Sequence, residues 1–371
     1  MTLGTLPQDF NPNSLPFNDP AQTRKVALIT GGNSGLGFFT SLHLYTHGWE
    51  VYVAARNPTK ANDAIKKIKS EAESRKSDLP AIAVFGELHF TQLDLSSLAK
   101  TKKGVDEFLS KESQLNLLIN NAGVMALPIE ITDDQLDIQI QTNHISPFYL
   151  TLNLLPLLKK SEFGPRIVFL SSLGHQITDN PKDFGKLYNY IPTFISGMLR
   201  YGNSKLANIQ TAKALALRYP SILSVAVHPG VCCQTNLLSY WRNLPYIGYV
   251  ASITVDTINH YIGISNEQGS YNTLFVALSP EVTTQENNGD YFTPVGFVTQ
   301  PSAIASDPEK IQQTWDWTVT QLVDRGFLSP EEAQKLNGSK PSSSDSADTI
   351  PSSATESSAS APSSSSSATT V

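Results

Sequence analysis

Two side chains in the stretch Tyr201-Gly-Asn-Ser-Lys205 could move a proton. A spacing of four puts the phenol of Tyr201 and the ammonium of Lys205 on one face of a helix, a turn apart. A solvated tyrosine ionises near pH 10, but a neighbouring positive charge favours the phenolate and brings the group into range as an acid and base near neutrality. The same spacing is common on ordinary surface helices. It acquires chemical meaning only beside other polar residues able to share a site, here Ser172, Asn143 and a glycine-rich run.

That run is Thr30-Gly31-Gly32-Asn33-Ser34-Gly35-Leu36-Gly37. Its glycines allow a tight turn and a close approach to a pyrophosphate, whose charge would meet the free N–H groups and positive dipole end of a following helix. Gly31, Asn33, Ser34, Gly35, Leu36 and Gly37 are therefore candidate cofactor contacts. Nineteen residues beyond Gly37 stands Arg56, where an acidic residue would hold the ribose 2′-hydroxyl of NAD. A guanidinium suits a 2′-phosphate instead, which favours NADP(H); a solvated arginine opening a loop is the bland alternative. Asp94, closing Leu93-Asp94-Leu95, is placed to accept from an adenine amino group or to cap the next helix.

The elements that must carry these residues alternate. Short β-branched runs such as KVALITG, EVYVAAR, LHFTQLDL, LNLLINNAG, RIVFLSS and LSVAVHPG are separated by segments of helical period, including 35–48, 59–76, 96–112, 132–160 and 201–219. Strand and helix in strict turn predict an α/β fold, a doubly wound parallel sheet of the Rossmann type, and strands apolar throughout predict helices on both faces. Ser96 and Thr132 are candidate helix N-caps, and Asn287-Asn288-Gly289 predicts a turn before a last strand, DYFTPVG.

Of 371 residues, 339–371 hold 15 Ser among 33 positions and no aromatic residue, a composition that reads as disordered. Residues 1–24, rich in Pro and without periodicity, read as an irregular extension, leaving 25–338 as one domain. A net charge of −6 with no basic stripe argues against nucleic acid as a partner. The only cysteines, Cys232 and Cys233, offer no disulfide framework and no metal-ligand spacing, so no metal is expected and two buried thiols are the simplest reading. No signal peptide and no run of 18 apolar residues is present, which predicts a chain that is cytoplasmic or peripheral to a membrane surface.

With TGGNSGLG, NNAG at 120–123, Ser171-Ser172 and YGNSK in this order, the chain resembles the short-chain dehydrogenase/reductase family over about residues 25–300. Within it, the SSLGH and YGNSKLAN stretches are similar to the retinol-dehydrogenase-like branch. QTNHISPF, AVHPG, GISNEQGS and TWDWTVTQLVDRGF resemble fungal oxidoreductases associated with lipid droplets and vacuole morphology.

The resemblance implies a role for each matching residue. Tyr201 would exchange a proton with the reacting oxygen, Lys205 would lower the tyrosine pKa and hold the nicotinamide ribose, and Ser172 would hydrogen-bond the reacting oxygen. Asn143 would hold a water linking Lys205 to solvent, Asn121 would contact the cofactor, and Pro229-Gly230 would touch the nicotinamide amide. The threonine that usually follows falls one place late, at Thr235. In many relatives the helices corresponding to those with Tyr201 and Pro147 form a dimer face, which makes a homodimer a candidate assembly.

Ser172 and Tyr201 lie 29 residues apart, predicting an inserted loop at about 175–198 whose Phe184, Tyr188, Tyr190 and Phe194 would cover an apolar substrate. Residues 237–264, with Tyr240, Trp241, Tyr246 and Tyr249, would form a lipophilic pocket or an edge in a lipid interface, or simply pack on the sheet. His175 and His228 read as structural, and Trp315 and Trp317 as core anchors. The activity so implied is NADP(H)-dependent interconversion of an alcohol with a ketone or aldehyde on a lipophilic molecule. A sterol or steroid ketone reductase and a nucleotide-binding scaffold on a lipid surface are the alternatives.

Overall fold

A computed structural model describes residues 9–162, 164–178, 183–232, 240 and 263–338. Apolar strands alternate with helices as the pattern requires: β1 (Val26–Thr30), α1 (Gly35–Thr46), β2 (Glu50–Ala55), α2 (Pro58–Ser74), β3 (Glu87–Gln92), α3 (Leu98–Lys111), β4 (Leu117–Asn120). Next come a single helical turn, α4 (Ile138–Ile140), a π-helical segment at Gln141–Ile145, α5 (Ser146–Lys159) and β5 (Arg166–Leu170). A 3₁₀ turn (Leu173–Ile177), α6 (Thr193–Arg218), β6 (Leu223–Val227) and α7 (Asn266–Leu278) follow. Towards the C-terminus stand β7 (Tyr291–Thr293), β8 (Phe297–Val298), the short helix Ala303–Ser306 and the long helix Pro308–Asp324.

The sheet runs β3-β2-β1-β4-β5-β6-β7-β8, parallel except for β8, which pairs antiparallel with β7. Strand order reverses between β1 and β4, so the C-terminal ends of those two strands open a crevice. Alternate residues of each strand feed two cores. Leu28, Leu118, Phe169 and Ala226 pack under α3, α5 and α6, with Phe108, Phe148 and Trp315, while Ile29, Ile119, Val168 and Val225 pack under α1 and α7. Trp315 is fully buried and meets Phe148 edge to face at 5.0 Å, and the half-buried Trp317 packs on Phe184 at 5.4 Å.

Four local expectations change. Residues 9–24 are not tail-like: Leu15 and Asn18 are buried, Phe17 stacks on His47 at 4.0 Å, and Phe10 packs on Tyr271 at 5.6 Å. Apolar contacts made across the fold, invisible to local periodicity, hold this strap. The catalytic-type helix starts at Thr193 rather than Tyr201, so part of the presumed inserted loop is two turns of α6. Thr132 caps no helix; Asp137 caps α4, accepting from Gln139 N–H at 3.1 Å. Ser97 rather than Ser96 occupies the N-cap of α3 and makes no capping bond, while the Asp134 carboxylate takes the Leu98 N–H at 2.6 Å.

Candidate functional site

The crevice at the β1/β4 reversal is a cavity of about 990 Å³, bounded by the glycine-rich turn, the ends of β2 and β4, and α6. Gly31 and Gly35 adopt φ +66° and +55°, conformations that side-chain-bearing residues rarely take. Gly37 is required by proximity: a Cβ there would stand 2.4 Å from Gly31 O and 2.6 Å from Asn121 Nδ2. The turn therefore lies directly against the first turn of α1. Ser34 is the N-cap of α1 but its hydroxyl caps nothing, which leaves the first-turn N–H groups to be met by a ligand. A volume of dinucleotide size, an uncapped helix start and a turn without room for side chains fit a pyrophosphate-bearing cofactor.

Asn33, Ser34, Gly35 and Leu36 line this cavity. Asn121, just past β4, donates from Nδ2 to Thr30 O at 2.7 Å, and the Thr30 hydroxyl accepts from Asn121 N–H and Ala122 N–H, both at 2.9 Å. Thr30 and Asn121 thus tie the glycine-rich turn to the loop after β4. Arg56 lies at the end of β2, exposed on the cavity wall, and its guanidinium makes no ion pair among the described residues. Lys60, four residues on, lines the same wall. It sits in the first turn of α2, which Asn57 caps by accepting Lys60 N–H at 2.9 Å. The sequence reading missed this second cation, although an Asn-Pro helix start three residues ahead of a lysine signals it.

Asp94 lies two residues beyond β3, in a turn, where its Oδ1 accepts from Ser96 N–H at 3.0 Å and Ser96 Oγ at 2.7 Å. It caps that turn and not α3. Burial pushes its pKa up, but the Ser96 bonds and the Lys100 and Arg56 charges outweigh this and hold it below the usual carboxylate value. Pro229 lines the cavity, Gly230 stands beside it at φ +96°, and Thr235 lies outside the described residues. Of the aromatic segment 237–264, Trp241, Tyr246 and Tyr249 also lie outside them, so the pocket expected there has no structural description.

At the inner end of the cavity, Tyr201 and Lys205 project from α6 with the Lys205 Nζ 5.6 Å from the phenol ring centroid. Lys205 Nζ donates to Leu170 O at 2.9 Å, at the end of β5. Burial lowers its pKa to about 8 and raises that of Tyr201 to about 12, the reverse of the lowering expected from Lys205, because desolvation of the buried phenol outweighs a hydrogen bond from Ser172. Ser171 Oγ donates to Lys205 O at 2.8 Å, the structural role expected of the first serine. Ser172 Oγ instead accepts from Gly174 N–H at 3.1 Å, capping the 3₁₀ turn, and so keeps its proton for Tyr201.

Asn143 makes structural hydrogen bonds on both ends of its carboxamide. It stands in the π-helical segment, where Oδ1 accepts Val124 N–H at 2.8 Å and Nδ2 donates to Val124 O and Ser204 Oγ, both at 2.9 Å. The carboxamide clamps the loop after β4 to α6. A Cβ on Gly123 would meet Asn143 Oδ1 at 3.2 Å and Lys205 Nζ at 3.4 Å, so these groups converge. A second clamp was not foreseen. Arg200, buried, donates to Asp137 Oδ2 at 2.5 Å and to Leu127 O at 2.7 Å, binding α6 to both the loop and the N-cap of α4. Cys232 is half-buried rather than buried.

The short chain dehydrogenase family pattern matches residues 25–181. The short-chain dehydrogenase/reductase drtF of Aspergillus calidoustus is 35% identical over 334 residues, covering 85% of this chain and 99% of that one. The chain belongs to the short-chain dehydrogenase/reductase family. An uncharacterised oxidoreductase of Schizosaccharomyces pombe is 32% identical over 324 residues, covering 85% and 90% of the two chains. Among solved structures, a Mycobacterium paratuberculosis protein of 24% identity superposes with a TM-score of 0.61, covering 84% of this chain and 97% of that one. Pseudomonas aeruginosa RhlG, solved with NADP in its active site, does so with a TM-score of 0.54 at 20% identity, covering 77% and 98%. Both share the fold. As a short-chain dehydrogenase/reductase the chain is an oxidoreductase of the nicotinamide-dinucleotide-dependent kind. No helix among the described residues is long and apolar enough to cross a membrane.

Proposed function

We propose that this oxidoreductase uses NADP(H) to interconvert an alcohol with a ketone or aldehyde on a lipophilic small molecule, with Tyr201 as general acid and base. One observation carries the reading: Tyr201 and Lys205 line the inner end of the cavity that the glycine-rich turn opens, and the Ser172 hydroxyl hydrogen-bonds the Tyr201 phenol. When bound, the dinucleotide supplies or accepts the electron pair. Gly31, Asn33, Ser34, Gly35 and Leu36 would hold its pyrophosphate, Arg56 and Lys60 its 2′-phosphate, Asp94 its adenine, and Lys205 its nicotinamide ribose.

The residues then divide the proton chemistry. A phenol pushed up to about 12 carries its proton at pH 7, and an ammonium lowered to about 8 is still charged there. That is the state required to protonate a carbonyl oxygen. As Tyr201 gives up its proton, Lys205 and the Ser172 hydroxyl stabilise the phenolate, and in the oxidative direction the phenolate takes the proton back. Ser172, held by the Gly174 N–H that its oxygen accepts, would turn its single O–H from the phenol to the reacting oxygen when substrate is bound. Val124, Met125, Leu127 and Ile138 give the cavity an apolar wall, which supports a lipophilic substrate.

NADPH consumption with a panel of aliphatic and aromatic ketones and aldehydes, against small polar carbonyls, tests the reading. Tyr201→Phe should lower kcat by about 10²- to 10⁴-fold with NADPH binding intact. Turnover undiminished in that variant would refute it.

A further inference from the structure

We propose that His175 is a positioning residue whose imidazole locks the turn that aims the Ser172 hydroxyl at Tyr201. The inference rests on the proposed role of Ser172, and it begins with which nitrogen carries the proton. Ser302 N–H donates to His175 Nε2 at 3.2 Å, so that nitrogen presents its lone pair. The proton is therefore on Nδ1, which donates to Ser172 O at 2.7 Å. The ring is fully buried, and Tyr291 meets it edge to face at 5.1 Å. Burial lowers the His175 pKa, which keeps this neutral tautomer.

Among the described residues, no other side chain donates to the Ser172 carbonyl; the His175 main-chain N–H adds a 3.1 Å bond. On the other side of the same residue, Ser172 Oγ accepts from Gly174 N–H. Gly174 lies flush against the phenol: a Cβ there would stand 3.0 Å from Tyr201 Cε1. Carbonyl, hydroxyl and turn form one unit, and His175 fastens it to Ser302, the residue that opens the helix Ala303–Ser306. The segment after β8 thereby buttresses the serine from behind, while Ser172 faces the phenol.

Two substitutions separate the halves of this bridge. Asparagine places an amide N–H near the Nδ1 position and keeps the bond to Ser172 O. Glutamine places a carbonyl near Nε2 and keeps only the bond from Ser302. Amide hydrogen exchange at Gly174 in the cofactor-free protein reports whether Ser172 Oγ stays in place. Steady-state kinetics with NADPH and an aromatic ketone report the consequence.

In His175→Asn, Gly174 exchange should match the wild type and kcat should stay within about threefold. In His175→Gln, exchange at Gly174 should quicken about tenfold and kcat fall about tenfold, with the KM for NADPH unchanged. Equal behaviour of the two variants, or wild-type protection of Gly174 in His175→Gln, would overturn the proposal. A Tyr201→Phe enzyme as active as the wild type would instead defeat the proposed function, and the exchange at Gly174 would still decide whether His175 holds Ser172.

Discussion

Replacing Arg56 with alanine should move cofactor preference from NADPH towards NADH. Arg56 is exposed on the cavity wall and Lys60 lines the same wall, beside an α2 N-terminus already capped by Asn57. Its guanidinium is not committed to a carboxylate among the described residues, so binding a phosphate breaks no ion pair. A charge-assisted hydrogen bond to such a group is worth about 1.5–3 kcal/mol, and solvent exposure places this one at the lower end. At 1.36 kcal/mol per decade, the lower end corresponds to a loss of about tenfold in NADPH affinity and the upper end to about 150-fold. NADH has no 2′-phosphate, and its affinity should stay within about twofold. Lys60→Ala should act in the same direction but less, because a point charge lacks the bidentate fork of an arginine. The assay is fluorescence titration of each cofactor into wild type, Arg56→Ala and Lys60→Ala at two salt concentrations. The NADPH advantage should shrink at the higher one. If Arg56→Ala weakens NADPH and NADH equally, or the wild type binds NADH more tightly, the assignment of the 2′-phosphate to this corner is wrong.

Gly37→Ala should cost cofactor affinity at least as much as stability, since a Cβ 2.4 Å from Gly31 O drives α1 away from the turn; unchanged NADPH binding would show that their contact is dispensable. Stability should fall in acid for a defined reason. Burial lowers His144 and His228 to about 4, so each is neutral in the folded protein but takes up a proton in the unfolded chain below about 6.5. Their contribution is complete above pH 6.5 and is lost as pH falls towards 4, about 3 kcal/mol for His228 alone. A denaturation midpoint that does not move between pH 7 and 4.5 would contradict this. Arg200→Met strands a buried Asp137 carboxylate and should destabilise by about 3–5 kcal/mol, while adding Asp137→Asn should recover more than half. Urea melts of the single and double variants decide it: no recovery in the double variant means that the cost lies in packing or in the Leu127 carbonyl bond.

Much of the site could be read from the chain because its information is local. The glycines of 31–37 must be glycine within one turn, and Tyr201 and Lys205 need only helical spacing to share a face. β-branched runs between helical periods impose a parallel sheet, and the crevice at its strand-order reversal follows from that topology. What pairs residues far apart in sequence could not be read in this way. Asn143 is an unremarkable amide until the fold carries Val124 and Ser204 to it, whereupon its carboxamide becomes a clamp. Arg200 meets Asp137 across 63 positions, Ser302 reaches His175 across 127, and Phe10 finds Tyr271 only because the strap crosses α1 and α7. Residue type and short spacing dictated which groups could do chemistry and which elements would carry them. Only tertiary packing decided which hydrogen bonds each polar side chain would spend on structure and which it would leave for the reaction, because burial makes an unpaired donor or acceptor costly and the partners come from anywhere in the chain.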